Sequence, residues 1–379
     1  MMIKSVREIE FNFKGEDTSY LTHSLHPYPA KFPPQLPKRI LERYAVKEQT
    51  VLDPFCGSGT TLIEARIFGV NAIGVDVNGL STLLSKVKAT PLSQKQFNTI
   101  EIFVSKIENE VFKWKFSNRP KIKVKEIEGL DHWFQNNVSE EITFLLNEIN
   151  LIKNNDIRDF LKIVLSSIIV RVSNQDSDTR FAAIDKNIQN GYTLEQFCKK
   201  ANEYNSRIME YSKLINDKTE LQIFNADSRN LDFIPDNSID LIITSPPYAN
   251  SYDYYLYHKF RKLWLDLDVK FAQNNEIGSR REYSSLKENP EKWNNDLIKC
   301  FIEMQRVLKP NHLAFIVIGD SVIKKELIKI EKEISDFAPS TGFRVNEILS
   351  SDLSNHSKIF NPTFAQKGKK EHLIILQKQ

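Results

Sequence analysis

The sequence predicts an α/β protein built on a doubly wound, mostly parallel sheet of seven strands with helices on both faces. Short apolar runs alternate with helical patterns, two of these runs end in motifs of unusual composition, and a long helical stretch separates the two motifs. Apolar runs of this length are typical of parallel strands that are buried on both faces. The predicted strands are residues 50–52, 71–75, 221–224, 239–243, 313–318, 343–348 and 372–376.

The first motif is the segment 53–61, of sequence DPFCGSGTT, which we call the glycine loop. It lies between a strand and a helical pattern, and Gly57 and Gly59 let a ligand approach the backbone at the start of that helix. The next strand ends in Asp76, at about the 20-residue spacing at which an acidic residue reaches ribose hydroxyls. The loop lacks both the Gly-Lys-Ser/Thr ending and the Gly-x-Gly-x-x-Gly spacing of phosphate-binding loops. A nucleoside cofactor without phosphates is therefore favoured.

The second motif is Thr244-Ser245-Pro246-Pro247-Tyr248, which we call the proline loop. It follows the apolar run 239–243, so it lies at the carboxyl edge of the sheet, where ligands of such folds bind. Two prolines remove two N–H donors and leave rigid carbonyl acceptors beside one aromatic ring. An exocyclic amine bonded to Ser245 Oγ and to the Pro246 carbonyl would have its lone pair oriented, while Tyr248 stacks on the base. The alternative is a proline-terminated strand with a core tyrosine.

Together the two loops resemble those of the S-adenosylmethionine-dependent DNA methyltransferases that modify exocyclic amino groups. The Ser-Pro-Pro-Tyr form is typical of N4-cytosine members, whereas N6-adenine members usually carry Asp or Asn before the prolines. Residues 26–34 resemble the segment that closes the cofactor pocket in this family, and residues 306–320 resemble the helix, turn and strand that follow the catalytic loop. The resemblance covers residues 25–76 and 224–376.

The resemblance implies a class I methyltransferase, Rossmann-like fold whose last two strands form an antiparallel edge, with S-adenosylmethionine as the cofactor. It implies direct in-line transfer to an extruded base without a covalent enzyme intermediate. The implied catalytic residues are Ser245, Pro246, Pro247 and Tyr248. The implied cofactor-binding residues are Tyr28, Lys31, Asp53, Phe55, Cys56, Gly57, Ser58, Gly59, Thr60, Thr61, Asp76 and Asp227.

Three segments are expected along the chain. Residues 1–89 hold the closing segment and the cofactor-binding half, residues 90–219 form a largely helical insertion, and residues 220–379 form the catalytic half. The order of the motifs resembles the alpha group of amino-methyltransferases, in which a target-recognition region lies between the two loops. Here the insertion falls between the second and third strands, so a recognition role for it is left open.

Polar side chains in and after the insertion are candidates for DNA contacts. Residues 171–180 form a polar run whose amides and arginines suit base edges and phosphates, with a solvated loop as the alternative. The tyrosine-rich residues 249–261 suit stacking on a flipped base, but their spacing equally suits a helix that buries Tyr254, Tyr257 and the stem of Arg261. We expect His258 to be structural. The candidate DNA-contacting residues are Arg171, Asn174, Gln175, Arg180, Tyr252, Arg280 and Arg281.

Composition predicts a soluble cytoplasmic enzyme. The 379 residues are 41% hydrophobic, which is enough for a core. No apolar run approaches the roughly 18 residues of a membrane span, and the amino terminus lacks the apolar core of a signal peptide. Three cysteines are scattered without metal-ligand spacing, so we expect reduced thiols and no metal site. Because the net charge is only +3, affinity for DNA must come from local patches.

The sequence therefore predicts site-specific methylation of the N4 amine of cytosine in double-stranded DNA, with a cognate restriction endonuclease as a candidate functional partner. An N6-adenine DNA methyltransferase is the first alternative. RNA and protein-glutamine N-methyltransferases are the second, because they use related proline-rich loops. A cofactor-binding subunit without turnover is the non-enzyme alternative, which the intact motif at residues 245–248 disfavours.

Overall fold

The computed structural model describes residues 13, 15–116, 121–178, 180–215, 218–250, 253–289, 291–323, 326–352 and 369–379. The strands within these ranges are β1 (Thr50–Asp53), β2 (Asn71–Asp76), β3 (Gln175–Ser177), β4 (Arg180–Ala183), β5 (Leu221–Asn225), β6 (Ile239–Thr244), β7 (Leu308–Gly319), β8 (Ser321–Ile323), β9 (Glu326–Ile328), β10 (Phe343–Asp352) and β11 (Lys370–Lys378). The helices are α1 (Gln35–Tyr44), α2 (Thr60–Phe68), α3 (Gly79–Ala89), α4 (Gln94–Lys115), α5 (Asn136–Asn150), α6 (Asn155–Ile168), α7 (Tyr192–Ser212), α8 (Tyr254–Tyr257), α9 (Lys259–Trp264), α10 (Val269–Asn275), α11 (Arg280–Ser284), α12 (Glu291–Val307) and α13 (Ile330–Phe337).

Seven strands form the central sheet in the order β10-β11-β7-β6-β1-β2-β5. The pairs from β7 to β5 are parallel, and β11 runs antiparallel to both of its neighbours. The predicted mostly parallel sheet with an antiparallel edge is thereby confirmed. Strand β7 begins five residues before its predicted start because Leu308 already pairs with Ile239 of β6.

The sheet is covered on both faces, as the double winding requires. Val51 and Ile243 belong to the core that includes apolar side chains of α1 and α2, whereas Leu52 and Ile242 belong to the opposite core with α12 and α13. Alternate residues of one strand point to opposite faces, so each central strand must be apolar along its whole length. This two-sided burial fixes the carboxyl edge on which both loops lie.

The insertion is largely helical, as predicted, and consists of α4 to α7 with a small hairpin of β3 and β4. The hairpin was not predicted, because strands of three and four residues are too short to show an alternating pattern. Residues 121–125, in which lysines alternate with apolar residues, form neither a helix nor a strand. The insertion shares one apolar core with Leu84 of α3 and Trp264 of α9, so it packs directly on the cofactor half and on the segment after the proline loop.

The cysteines and the longest helices bear on the predictions of reduced thiols and of a chain without a membrane span. Cys56, Cys198 and Cys300 are buried and unpaired. None of the helices in the described ranges is both long and apolar enough to cross a membrane.

A buried carboxylate joins two helices of the insertion. Glu141 on α5 is fully buried and accepts hydrogen bonds from the backbone N–H groups of Gly191, Thr193 and Leu194, at 2.6, 2.9 and 3.3 Å. These donors lie at the start of α7, where the helix leaves its first N–H groups without intrahelical partners. The contact therefore ties α5 to the amino terminus of α7.

We predict that Glu141→Ala lowers the free energy of unfolding by about 2 to 4 kcal/mol, because three buried N–H donors lose their acceptor. Urea denaturation followed by circular dichroism measures the change. Glu101→Ala removes an exposed glutamate from α4 and should change stability by less than about 0.5 kcal/mol. Equal effects of the two substitutions would show that the capping contact is not stabilising.

Candidate functional site

The two loops meet at the carboxyl edge of the sheet because β1 and β6 are neighbours. The Thr244 hydroxyl, at the end of β6, donates a hydrogen bond of 2.6 Å to the carboxylate of Asp53 at the end of β1. The same carboxylate accepts the N–H of Phe55 at 3.1 Å. Asp53 is 1% exposed, and burial raises its pKa to about 6. One buried side chain therefore joins the start of the glycine loop to the start of the proline loop.

The Asp76 side chain holds the backbone of the glycine loop by hydrogen bonds. Its carboxylate accepts the N–H of Gly57 at 2.9 Å and that of Asn78 at 2.8 Å. Gly57 and Gly59 have φ of +47° and +84°, values that favour glycine, and Gly59 directly precedes α2. Burial raises the pKa of Asp76 to about 6, so the group is still mostly ionised at pH 7. The Asp76 carboxylate thus contacts a turn whose glycines adopt positive φ and let a ligand approach the backbone.

Tyr28 of the closing segment lies against this turn. Its hydroxyl and the Ser81 hydroxyl of α3 are 2.8 Å apart and hydrogen-bonded. A Cβ atom added at Gly57 would lie 3.4 Å from the Tyr28 hydroxyl oxygen, which measures how closely the ring approaches the loop. Lys31 takes a different position, since its ammonium donates to the carbonyl of His23 at 2.9 Å. The structure thus brings Tyr28, and not the ammonium of Lys31, into contact with the glycine loop.

The other residues expected to bind the cofactor occupy two positions. Cys56, Ser58, Thr60 and Thr61 are buried along the glycine loop and its junction with α2, with Phe55 partly buried beside them. Asp227, after β5, is held in an ion pair of 2.6 Å with Arg229, which also pairs with Asp296 at 3.0 Å. The Asp227 carboxylate is therefore fixed in place by a cation of its own.

The proline loop is held at two points. The Trp293 indole donates to the Pro247 carbonyl at 3.0 Å, so that acceptor is already engaged. The Tyr248 hydroxyl donates to Glu371 at 3.0 Å and is also hydrogen-bonded to the side chain of Ser245. Burial raises the pKa of Tyr248 well above its usual range, which keeps the phenol neutral. The loop is therefore anchored to α12 through its backbone and to β11 through its ring.

Helices α8 and α9 place two rings on Tyr28. The Tyr254 ring stacks on it with centroids 6.0 Å apart, and the His258 ring does so at 5.1 Å. Arg261 is 1% exposed, donates to the Ser166 carbonyl at 3.1 Å and pairs with Asp178 in the β3–β4 turn. Residues 249–261 were predicted either to contact a flipped base or to form a helix that buries part of the segment. Arg261 is buried, as the second interpretation predicts. His258 is likewise buried.

Buried polar atoms without partners collect on the elements around Tyr28. In the part of the chain that the structure describes, no hydrogen bond is made by Ser58 Oγ, Asn78 Nδ2, His258 Nε2, Lys262 Nζ or Glu276 Oε2. Buried polar groups in folded proteins are nearly always paired, so these atoms could serve a polar ligand as donors and acceptors. The set fits a nucleoside or amino-acid ligand better than an apolar one.

Lys262 and Glu276 were missed by the sequence analysis. Lys262 follows His258 by one helical turn in α9, whose sequence KFRKLW mixes basic and apolar residues, so no pattern marked this lysine as buried. Glu276 lies beyond the end of α10 and belongs to no recognisable motif.

The candidate DNA-contacting residues fall into two groups. The side chains of Arg171, Arg180 and Arg280 are exposed, and Arg281 and Asn174 are partly buried. Gln175 is 2% exposed and its amide donates to the Ser177 carbonyl at 2.8 Å, so it stabilises the hairpin instead of facing solvent. Tyr252 lies outside the described residues.

One cluster in the described ranges has the composition of a metal site. Asp320, Glu331 and His372 lie close together, with His372 Nε2 at 3.2 Å from both carboxylates. Asp320 also accepts the N–H groups of Ile330 and Lys370, and Lys329 lies 3.5 Å away. Asp320 is thus well supplied with partners, whereas Glu331 Oε2 has His372 as an ion-pair partner and no hydrogen bond among the described residues.

Comparison with known proteins gives one family match. The N6/N4 methyltransferase family model, described as DNA methylase, matches residues 7–79 and 239–372, which is more than half of the chain. The Type II methyltransferase M.MvaI of Kocuria varians is 26% identical over 86% of this chain and 82% of its own length. M.MjaII of Methanocaldococcus jannaschii is 25% identical over 81% of this chain and 73% of its own length.

Solved structures resemble the chain more distantly. A SAM-dependent methyltransferase from Methanosarcina mazei covers 93% of this chain and 99% of its own, with 12% identity and a TM-score of 0.35. A Thermus thermophilus protein solved in complex with S-adenosyl-L-methionine covers 40% of this chain and 51% of its own, with 18% identity and a TM-score of 0.25.

We predict that Thr244→Val lowers the free energy of unfolding by about 1 to 3 kcal/mol, because the buried Asp53 carboxylate loses a hydroxyl donor. Asp53→Ala and the double variant complete a double-mutant cycle measured by chemical denaturation. The coupling between the two positions should be about 0.5 to 3 kcal/mol, as for residues in direct contact. Additive effects would show that the hydrogen bond between the two loops does not stabilise the fold.

Proposed function

The chain belongs to the DNA methylase family of N6 and N4 methyltransferases, and on this premise we propose that it methylates the N4 amine of cytosine in double-stranded DNA. DNA methylation with S-adenosylmethionine as methyl donor follows from the family. The choice of cytosine N4 is the proposal. The observation that carries it is Ser245 before the two prolines, on a loop that offers acceptors for one amine.

The residues around the glycine loop fit S-adenosylmethionine, which supplies a methyl group carried on a positively charged sulfur. Asp76 offers a carboxylate for ribose hydroxyls, and the turn at Gly57 and Gly59 lets a ligand lie against the backbone. Tyr28 closes the other side of that turn. Asp227 remains our candidate for the adenine amine, with Arg229 holding its carboxylate in position.

The proline loop can orient an amine with two acceptors. The Pro247 carbonyl is engaged by Trp293, so the Pro246 carbonyl and Ser245 Oγ are our candidates to accept the two N–H groups of an exocyclic amine. Both hydrogen bonds would hold the nitrogen lone pair toward the methyl donor, so no covalent enzyme intermediate is needed. Tyr248, whose hydroxyl is fixed by Glu371, supplies a ring for stacking on the base.

The target base must leave the duplex to reach this loop. Exposed arginines at Arg171, Arg180 and Arg280 are our candidates for phosphate contacts. The β3–β4 turn is tied to α9 by the Asp178–Arg261 ion pair, which places the hairpin beside the site. Because the relatives M.MvaI and M.MjaII are named Type II methyltransferases, a restriction endonuclease with the same target sequence is the functional partner to seek.

Mass spectrometry of nucleosides from a host that expresses the chain tests the proposal directly. We expect N4-methylcytosine in the DNA and none in a host that expresses Ser245→Ala. N6-methyladenine as the sole new nucleoside would overturn the N4 assignment and leave the family assignment intact. Unmodified DNA together with newly methylated RNA or protein would favour the second alternative.

We predict that Asp76→Ala weakens binding of S-adenosylmethionine by about 1 to 3 kcal/mol, through loss of charge-assisted hydrogen bonds to the ribose. Isothermal titration calorimetry measures the affinity. Asp232→Ala removes an exposed carboxylate after β5 and should leave the affinity unchanged. Wild-type affinity in the Asp76 variant would remove this residue from the cofactor site.

We predict that Ser245→Ala and Tyr248→Ala lose methyl transfer by different routes while keeping cofactor binding. Loss of the Ser245 acceptor should slow the transfer step by roughly 10- to 1000-fold. Loss of the ring should mainly weaken capture of the extruded base, by about 1 to 3 kcal/mol, whereas Tyr248→Phe should be mild. Single-turnover assays on duplex DNA separate the two effects, and a full transfer rate in Ser245→Ala would refute the mechanism.

A further inference from the structure

A fully buried lysine lies unpaired beside the glycine loop. Lys262 on α9 is 0% exposed, and its ammonium has neither a hydrogen bond nor an ion pair with any residue that the structure describes. A buried charge without a partner is costly, so proteins pair it, neutralise it or reserve it for a ligand. Burial lowers the pKa of Lys262 to about 8, opposed by the charges of Glu276, Asp76 and Asp268, so most of the group is charged at pH 7.

The position of Lys262 follows from the stack on Tyr28. Its backbone N–H donates to the His258 carbonyl at 2.9 Å, so Lys262 lies one turn beyond His258 on the same side of α9. The His258 ring stacks on Tyr28, and Tyr28 lies against Gly57. Helix α9 also packs on α3, the helix that follows Asp76. Lys262 therefore lies near the stack, and close enough to Asp76 for the two charges to interact.

A buried carboxyl group lies beside the same stack. Glu276 is 9% exposed, and one of its oxygens accepts the N–H of Tyr254 at 2.7 Å, which holds the helix whose first ring stacks on Tyr28. Its second oxygen is buried and makes no hydrogen bond with a described residue. Lys262 thus presents an unused ammonium, and Glu276 a carboxyl oxygen without a hydrogen bond, to one region. Burial raises the pKa of Glu276 to about 8, so a cationic partner is needed to keep this carboxyl ionised at pH 7.

From these two unpaired groups we infer that Lys262 binds the carboxylate, and Glu276 the α-ammonium group, of the amino-acid end of S-adenosylmethionine. The inference rests on the proposed function, because it assigns the charged end of that cofactor. The cofactor carries one anionic group, the carboxylate, and the buried ammonium of Lys262 is complementary to it. Its two cationic groups are the sulfonium and the α-ammonium, and only the α-ammonium can donate hydrogen bonds to Glu276.

A contact with DNA would not explain the same observations. A lysine that binds phosphate needs access to the surface, as Arg171 and Arg280 have and Lys262 lacks. A purely structural ion pair would join Lys262 to Glu276 directly, yet each of the two keeps an atom without a hydrogen bond. A ligand with one group of each charge satisfies both residues at once.

Calorimetry with three related ligands tests the inference without measuring catalysis. S-adenosylmethionine has both charged groups of the amino-acid end, decarboxylated S-adenosylmethionine lacks only the carboxylate, and 5′-methylthioadenosine lacks the amino-acid end. We expect Lys262→Met to weaken binding of S-adenosylmethionine by about 10- to 100-fold and to leave the other two ligands unchanged. Glu276→Gln should weaken binding of both amino-containing ligands and spare 5′-methylthioadenosine.

Two further variants keep the test decisive. Lys270→Met removes an exposed lysine from the neighbouring helix α10 and should change none of the three affinities. Lys262→Arg keeps the charge and should retain most of the preference for the carboxylate-bearing ligand, which a loss of packing in Lys262→Met would not predict.

Three outcomes would overturn the inference. The first is an unchanged affinity of Lys262→Met for S-adenosylmethionine, and the second is an equal loss of affinity of Lys262→Met for all three ligands. The third is an equal loss, in Lys262→Arg and Lys262→Met, of the preference for the carboxylate-bearing ligand. A wild-type chain that binds none of the ligands would instead overturn the proposed function and the inference with it. N6-methyladenine in the host DNA would overturn the N4 proposal but leave the Lys262 assignment standing.

Discussion

The hydrogen bond between Asp53 and Thr244 is the contact on which the arrangement of the site depends. It joins residues 191 positions apart in sequence, at the ends of two adjacent parallel strands. A buried carboxylate is tolerated only when donors satisfy it, and here the donors come from both loops. The Asp53 carboxylate therefore couples the position of the glycine loop to that of the proline loop. In the function that we propose, this coupling would hold the methyl donor and the target amine in a fixed geometry.

The sequence was sufficient for the central strands because they are apolar on both faces, as Val51 with Leu52 and Ile242 with Ile243 show. It was sufficient for the two loops because glycine permits backbone conformations that other residues avoid and proline fixes φ. It could not give the β3–β4 hairpin, whose strands of three and four residues are too short to show a pattern. Nor could it give Lys262 and Glu276, since burial without a partner is a property of the fold and not of any local pattern.

The insertion is coupled to the site through α9. Arg261 of α9 forms an ion pair with Asp178 in the β3–β4 turn and donates to the carbonyl of Ser166 on α6. His258, directly before α9, stacks on Tyr28. The β3–β4 hairpin is thus connected to the ring stack on Tyr28 through contacts of α9. The insertion also shares an apolar core with α3. The insertion is therefore packed against the elements around the glycine loop.

The identity of residue 245 is constrained by a partner far away in the sequence. Tyr248 has one hydroxyl hydrogen, which it donates to Glu371, an acceptor, so the hydrogen bond between Ser245 and Tyr248 must be donated by the serine. The lone pairs of Ser245 Oγ then remain to accept an amine N–H. A carboxylate at position 245 has no hydrogen to donate and would compete with Glu371 for the single phenolic hydrogen, with two like charges beside one ring. Serine before the prolines and glutamate at position 371 are thus mutually consistent.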